Sequence, residues 1–186
     1  MRKIFVFSLI FIGGSVFAQE IPINFSYFGE VGTRPGIEIG YEYHFYKGFN
    51  LTGSIGTYVH QRNHTGLFFN GGLNWRHTFP VGYSMEFGIG LGYLHTWEHG
   101  GLTYVVDKNG NVSTKTKIGH PHFMPSVKLG LLGWDFRLKT NIPLRINSDL
   151  IIFGRYPYNN YMMPHAALKI GATYFYNFNK NLSEGN

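Results

Sequence analysis

The chain has 186 residues and no cysteine, which excludes disulfides and thiolate chemistry. Charged residues make up 14% of it and aromatic residues 18%, with 25 glycines, whereas a soluble domain carries about 25% charged residues. The net charge of +6 is mild and its basic residues are scattered, which argues against nucleic-acid binding. Such a composition fits a fold that exposes apolar side chains to lipid.

The first 18 residues have the pattern of a secretory signal peptide. Arg2 and Lys3 form a short positive region, an apolar run follows from Ile4 to Ile12, and Ala18 supplies a small residue for cleavage. The run is shorter than the roughly 20 residues that a membrane-spanning helix needs. A cleaved signal is therefore favoured over a membrane anchor, and we predict that residues 19–178 form one domain.

Apolar and polar residues alternate with period two along most of the remaining chain, which predicts β-strands. In the second predicted strand, Ile37, Ile39 and Tyr41 alternate with Glu38 and Gly40. Most of the eight predicted strands have roughly 10–14 residues, long enough to cross a bilayer at a tilt. A soluble β-sandwich also alternates and stays open as an alternative. The predicted strands are residues 23–30, 37–46, 49–60, 67–78, 83–96, 123–134, 143–154 and 165–178.

The connections between these strands alternate in length. Short turns at 47–48, 79–82 and 135–142 alternate with longer connections at 31–35, 61–66, 97–122 and 155–163. Outer-membrane barrels have short periplasmic turns and longer outer loops, so the alternation predicts an even-stranded barrel with residues 97–122 outside. Asn109-Gly110, flanked by Tyr104 to Val106 and by Val112, predicts a further hairpin inside that long loop.

With these features the chain resembles the small outer-membrane β-barrel proteins of Gram-negative-type bacteria. Its last predicted strand ends in the aromatic run Tyr174 to Phe178, which is similar to the final strand of those proteins. The resemblance implies an all-β, eight-stranded, antiparallel up-and-down transmembrane barrel in contact with outer-membrane lipid and lipopolysaccharide. It also implies that the strand ending at Phe178 is presented to the barrel assembly machinery. The chain departs from the pattern by continuing through residues 179–186, predicted to be a periplasmic tail.

The polar face of the strands carries charges in balance. An eight-stranded barrel is just wide enough for its own side chains, and buried charges need partners, so we expect a salt-bridged lumen rather than an open pore. The predicted lumen charges are Glu38, Glu42, Glu86 and Asp149 with Arg76, Lys128, Arg145 and Lys169.

Six glycines share this face and are predicted to form a ring around a waist of long charged side chains. Such glycines relieve crowding in a narrow barrel, and a small lumenal cavity is the alternative. They are Gly40, Gly56, Gly72, Gly88, Gly130 and Gly171.

Aromatic residues at both ends of the apolar face predict two interfacial girdles. The predicted periplasmic girdle contains Phe45, Phe49, Trp75, Tyr83, Trp134, Tyr176 and Phe178, and the outer girdle contains Tyr27, Tyr93, Trp97 and Phe123.

Two chemical hypotheses come from side chains at the outer end. Histidines are common metal ligands, although no H-E-x-x-H motif is present; the candidates are His95, His99, His120 and His122. Acyl-chain chemistry on lipid A would need a nucleophile, a base and an acid, although no nucleophile elbow is present; the candidates are His122, Ser126, His95 and Glu98. No cofactor is predicted.

The outer loops carry more basic than acidic residues, which would attract the phosphates of an anionic outer leaflet. This predicted rim consists of Arg34, Arg62, Lys108, Lys115, Lys117 and Arg155 against Glu98 and Asp107. We therefore predict a non-enzymatic outer-membrane barrel with a structural or surface-binding role that exposes residues 97–122. A lipid A-modifying enzyme is the alternative, and narrow transport of a small solute or apolar ligand is third.

Overall fold

The computed structural model describes residues 20–30, 34–61, 63–99, 102–106, 109–116, 119–158 and 161–177. The predicted signal peptide, Phe178 and the predicted tail lie outside these residues. The strands are β1 (Glu20–Glu30), β2 (Gly36–Tyr46), β3 (Phe49–His60), β4 (His64–Thr78), β5 (Tyr83–Glu98), β6 (Leu102–Val106), β7 (Val112–Thr116), β8 (His120–Asp135), β9 (Leu144–Tyr158) and β10 (Tyr161–Asn177), with one helical turn, α1 (Arg137–Thr140).

Eight of these strands close into an antiparallel barrel in the order β1-β10-β9-β8-β5-β4-β3-β2. The first and last strands pair along their length, from Glu20 opposite Asn177 to Glu30 opposite Ala167. The predicted fold class and strand number are confirmed. The two remaining strands, β6 and β7, form a separate two-stranded sheet, which confirms the hairpin predicted around Asn109-Gly110.

The connections β2–β3, β4–β5 and β8–β9 lie at one end of the barrel, together with Glu20 and Asn177, and we call this the turn end. Tight turns there need backbone conformations that glycine adopts readily: Gly48 has φ 90° and Gly82 has φ 94°. The opposite end, where the β6–β7 hairpin emerges between β5 and β8, is the loop end. The strand bounds do not reproduce the predicted alternation of connection lengths: at the loop end three residues separate β3 from β4 and two separate β9 from β10, whereas eight separate β8 from β9 at the turn end. The long connection predicted between β5 and β8 is present and holds the β6–β7 hairpin.

The strands extend further at the loop end than the sequence pattern indicates. β9 continues to Tyr158 and β10 begins at Tyr161, so most of the predicted loop 155–163 is a strand hairpin. The alternation is lost there because Tyr, Met and Pro follow one another from Tyr156 to Tyr158 and from Tyr161 to Pro164. At the turn end, the predicted turn 135–142 contains α1. No helix among the described residues is long and apolar enough to cross a membrane.

Two local irregularities shape the wall. The β1–β2 ladder runs from Ile23 opposite Tyr41 to Tyr27 opposite Ile37 and stops before Pro22, which has no N–H to donate. In β8 the register shifts between Gly130 and Leu132. Such a bulge locally interrupts the alternation of faces, and Leu131 and Leu132 are both exposed.

Residues on the two faces of the wall differ in chemistry. Apolar side chains point outward and are exposed all around the barrel, including Ile39, Leu73, Ile89 and Ile170. The aromatic residues Trp75 and Trp134 lie outward toward the turn end, and Trp97 and Phe123 lie outward toward the loop end. The buried residues, polar and apolar, therefore lie inside the barrel, in the lumen.

Candidate functional site

Five charged side chains form a network across the lumen near the turn end. Arg76 Nη2 donates to Glu86 Oε2 at 2.6 Å and to Glu42 Oε1 at 3.0 Å. Arg145 Nη2 donates to the same Glu42 oxygen at 2.5 Å, and Lys128 Nζ donates to Glu86. These residues come from β2, β4, β5, β8 and β9, so the charge network ties strands together across the lumen.

The other predicted lumen charges lie in a second group. Lys169 Nζ donates to Glu38 Oε1 at 2.7 Å, and Asn147 Nδ2 donates to Asp149 Oδ2 at 2.8 Å. Glu38, Asp149 and Lys169 are all buried. The first group holds three bases and two acids, and the second holds one base and two acids, so the opposite excess charges offset each other along the lumen.

The six predicted glycines face the lumen, but mostly not toward long charged side chains. A Cβ on Gly130 would meet Asp149 and Glu86, as predicted, whereas the space beside Gly56 is filled by the ring of Phe68. Gly88 lies against Asn74 and Gly171 against Ser26. Gly40 and Gly72 also lie against small or polar neighbours, Ser54 and Thr52. The predicted waist of Arg, Lys and Glu side chains is therefore corrected: polar amides, hydroxyls and one aromatic ring fill most of these positions.

A cluster of apolar side chains fills the lumen on the loop-end side of the charges, and the sequence analysis missed it. We call it the aromatic plug. The ring centroids of Phe28 and Phe68 are 4.7 Å apart, and those of Phe28 and Phe153 are 6.2 Å apart. The sequence signal that could have revealed this cluster is the presence of large apolar residues at strand positions whose neighbours two residues away are polar and face inward. The plug consists of Phe28, Tyr58, Phe68, Leu94, Met124, Ile151, Phe153 and Ala167.

The free space in the lumen is small where the plug meets the charges. A cavity of about 50 Å³ there is lined by residues of both layers, among them Glu38, Lys128, Phe68 and Phe153. Each buried water needs at least roughly 10–15 Å³, so this cavity has room for a few waters and is too small for a larger ligand. A second cavity of about 580 Å³ opens at the turn end and is lined by Glu42, Arg76 and Arg145 of the charge network. The network and the plug thus interrupt the lumen.

Polar side chains at the loop end form chains of hydrogen bonds above the plug. Arg155 Nη2 donates to Thr96 Oγ1 at 3.0 Å, which leaves the hydroxyl proton of Thr96 for His122 Nε2 at 3.2 Å. His122 Nδ1 in turn donates to the carbonyl of Pro157 at 2.8 Å. Both ring nitrogens of His122 are therefore engaged in hydrogen bonds within the barrel.

A buried carboxylate organises the other side of this mouth. Glu30 is fully buried; its Oε1 lies 2.5 Å from His165 Nδ1 and its Oε2 lies 3.0 Å from Arg34 Nη1. The His165 ring also stacks on Phe153 of the plug. Arg34 and Arg155 were predicted to belong to the basic outer rim, and Arg155 was placed there because the predicted strand over residues 143–154 ended before it. Of the predicted basic rim, Arg155 lies in the barrel interior and Arg34 binds Glu30; Arg62, Asp107, Lys108 and Lys117 lie outside the described residues, as does the side chain of Lys115.

The candidate acyl-transfer residues are not brought together. His122 and Ser126 are four residues apart on one strand, which separates them by about 13 Å at the usual rise. His95 points to the outer face of β5, where its Nδ1 lies 2.9 Å from the Tyr93 hydroxyl, while the neighbouring Leu94 and Thr96 are buried inside. The alternation of faces along β5 therefore separates His95 from His122, and this candidate set does not form a nucleophile–base pair.

The candidate metal ligands are also distributed over separate contacts. His99 Nε2 lies 2.9 Å from Thr65 Oγ1, and His120 Nε2 lies 3.8 Å from Glu98. His95 lies outside the wall and His122 inside it, engaged as described above. Across the described parts of the chain, no group of three or more His, Asp or Glu side chains is arranged to hold a metal ion. The predicted metal site is therefore corrected.

Comparison with known proteins defines the class of fold. No protein-family model matches the chain, and no curated protein matches its sequence. The N-terminal β-barrel domain of Pseudomonas aeruginosa OprF is similar with a TM-score of 0.59 at 13% identity, over 85% of this chain and 98% of that one. Neisserial surface protein A gives a TM-score of 0.58 at 8% identity, over 83% and 95% of the two chains. The chain has the fold of the small eight-stranded outer-membrane β-barrels.

The charge network predicts a large cost for removing its shared carboxylate. Glu42→Gln would leave two buried guanidiniums short of their anion, and breaking a buried ion pair costs about 3–5 kcal/mol. We expect this loss in urea unfolding of the protein in lipid vesicles. Glu20→Gln is the matched control, since Glu20 pairs with Arg137 at the exposed turn end and such pairs are worth about 1 kcal/mol or less. Equal losses for the two variants would show that the network contributes little.

The glycine positions predict a contrast between the two faces of β3. Gly56→Val would push a side chain into the Phe68 ring and the Ile37 carbonyl, and overpacking costs about 1–3 kcal/mol. Gly53→Val, on the outer face of the same strand, meets nothing within 4 Å and should leave unfolding free energy unchanged or raised. The measurement is the same vesicle unfolding assay, and a larger loss for Gly53→Val would contradict the assigned faces.

Proposed function

We propose that the chain is an integral outer-membrane protein whose closed barrel serves as a structural platform and presents the β6–β7 hairpin at the cell surface. The observation that carries this is the continuous exposure of large apolar residues around a barrel whose polar groups lie inside. Exposed side chains include Phe69, Phe87, Leu91 and Ile152, with relative exposures of 46–63%. Contiguous apolar surface on this scale marks a lipid- or protein-binding face, and a closed barrel leaves no unpaired edge in lipid.

The orientation in this proposal places the turn end in the periplasm. Short turns on the periplasmic side and long connections outside are typical of such barrels, and the β6–β7 hairpin is on the loop-end side. The proposal includes cleavage of residues 1–18 on export, a periplasmic tail at residues 179–186, and recognition of the strand ending at Phe178 by the barrel assembly machinery. Contact of the loop end with lipopolysaccharide belongs to the same proposal, with Tyr93, His95 and Trp97 facing the outer lipid head groups.

The lumen supports a structural role over transport. Ligand pockets for small molecules are typically about 300–1,000 Å³, whereas the cavity between the plug and the charge network has about 50 Å³. The turn-end cavity is of ligand size, about 580 Å³, but it is bounded by Glu42, Arg76 and Arg145 of the charge network. Solute passage would require the plug and the charge network to move together, at the cost of breaking buried ion pairs. Purified protein in planar bilayers should therefore show no steady ion conductance, and a stable open level in the wild type would overturn this part of the proposal.

The membrane assignment is tested by charges on the outer face. Ile89→Arg places a guanidinium at the middle of the apolar belt, where a charged residue costs about 2–4 kcal/mol in a barrel. Val112→Arg in the hairpin is the control and should change little, because Val112 is exposed outside the barrel wall. Unfolding in lipid vesicles measures both variants. If Ile89→Arg is as neutral as Val112→Arg, the apolar belt does not face lipid.

The orientation is tested by labelling single cysteines, for which the cysteine-free chain is suited. Val112→Cys in the hairpin should react with a membrane-impermeant maleimide on intact cells. Leu138→Cys in α1, which is also exposed but at the turn end, should react only after the cells are lysed. The reverse pattern would show that the barrel has the opposite orientation in the membrane. If neither variant is labelled before lysis, the hairpin is not exposed at the cell surface.

A further inference from the structure

The tip of the β3–β4 hairpin at the loop end contains a buried histidine. His64 is the first residue of β4, pairs with His60 at the end of β3, and is buried. Its Nε2 lies 3.2 Å from the Tyr58 hydroxyl, and its ring makes edge contacts with Tyr58 at 5.7 Å and with His60 at 5.3 Å. The Tyr58 hydroxyl can donate to Nε2 only while that nitrogen carries no proton.

The charges that surround His64 oppose a second proton on its ring. Arg155 of β9 and Arg34, which precedes β2, are cations; the His60 ring of β3 lies beside it, and Glu98 of β5 lies opposite it in the register. Glu30 of β1 is an anion near His64, but its two oxygens already contact Arg34 and His165. Glu98 is itself within 3.8 Å of His120. Burial and the positive charges of Arg155 and Arg34 therefore disfavour a protonated His64.

His64 lies beyond the outer aromatic girdle, since Thr65, the next residue, pairs with Trp97. Burial, and after it the positive charge of Arg155, lowers the pKa of His64 to about 4. An exposed histidine has a pKa of about 6.5. The folded tip therefore binds fewer protons than an opened tip. Its stability is fully present above about pH 6.5 and is lost progressively as the pH falls toward 4.

The same tip holds the base of the surface hairpin. The backbone N–H of His99, the residue that follows β5, donates to the carbonyl of Asn63 at 2.8 Å. The His99 ring also contacts Thr65 through Nε2 and Oγ1 at 2.9 Å. Asn63 and Thr65 flank His64 on either side. Any opening of the tip that exposes His64 would also remove both contacts that fix His99.

We propose that the β3–β4 tip is an acid-sensitive clamp on the β6–β7 hairpin: protonation of His64 opens the tip and releases the hairpin base at His99. The clamp is a regulatory device of the surface element and rests on the proposed function for its biological meaning. The opening itself is a property of the barrel and is testable without that assumption.

Hydrogen–deuterium exchange of the full protein in lipid vesicles tests the clamp. If an opened tip carries an ordinary histidine, lowering the pH from 7.5 to 5.0 should raise the opening equilibrium about 30-fold. We expect this loss of protection, after correction for intrinsic exchange, at the amides of residues 58–66 and 96–99, with the turn end unchanged. His64→Gln keeps a hydrogen-bond acceptor for Tyr58 and should remove the pH response. His77→Gln, on the exposed outer face at the turn end, is the control and should retain it.

Three results would overturn the proposal. The first is equal protection of the tip at both pH values in the wild type, and the second is an unchanged pH response in His64→Gln. The third is an NMR titration of the wild-type protein with labelled histidines that gives His64 a midpoint near 6.5. This measurement needs no variant, so the test remains decisive if His64→Gln does not fold. Surface labelling of Val112→Cys at pH 7.5 is a separate readout, so its failure would remove the proposed function without touching the acid opening.

Discussion

The single carboxylate of Glu42, shared by Arg76 and Arg145, is the interaction on which the rest of the barrel depends. A closed wall of eight strands sends every second side chain inward, and in this chain many of those side chains are charged or amide-bearing. Two guanidiniums can enter a space of that width only if an anion lies between them. The remaining charges, the lumen amides and the small residues pack around this pair inside the barrel. The outer face can therefore consist of apolar side chains.

The lumen is consequently built in layers of different chemistry. Ion pairs lie toward the turn end, aromatic rings lie above them, and hydrogen bonds among Arg155, Thr96 and His122 close the loop end beside the ion pairs of Glu30. The buried charges near the turn end are held by ionic partners, whereas the loop end also contains the weaker contact between Tyr58 and His64. Rigidity and responsiveness are therefore located at opposite ends of one small barrel.

Much of the fold could be predicted from the sequence, because period-two alternation reports directly on which face of a wall a residue occupies. This is why Glu38, Glu42 and Arg76 were assigned to the lumen, and why the strands and the extra hairpin were found. The apolar–polar alternation is lost at the loop-end ends of β9 and β10, where Tyr, Met and Pro follow one another. The ends of these two strands were therefore misplaced, and Arg155 was assigned to a loop. Phe28 and Phe68 were overlooked because an apolar residue inside a polar lumen breaks the binary pattern rather than following it.

The chemical hypotheses fared differently because they depended on distances between strands, which alternation does not give. His95 and His122 are near in the paired register, yet they lie on opposite sides of the same wall. Conversely, the contact of Glu30 with His165 joins the first and last strands of the barrel, and only the closure of the sheet brings them together. Sequence patterns identify the face of a residue with confidence but identify its neighbours only within one hairpin.

The pairing of Glu20 with Asn177 has a consequence for how the protein is made. Closure joins the two barrel strands that lie furthest apart along the chain, so the edge of β1 that faces β10 stays unpaired until the last strand is in place. Contacts of such long range form slowly, and an open sheet with apolar residues on its outer face is prone to aggregate. The unclosed sheet is therefore the state of this chain that is most prone to aggregate, and pairing of its last strand with its first removes that exposed edge.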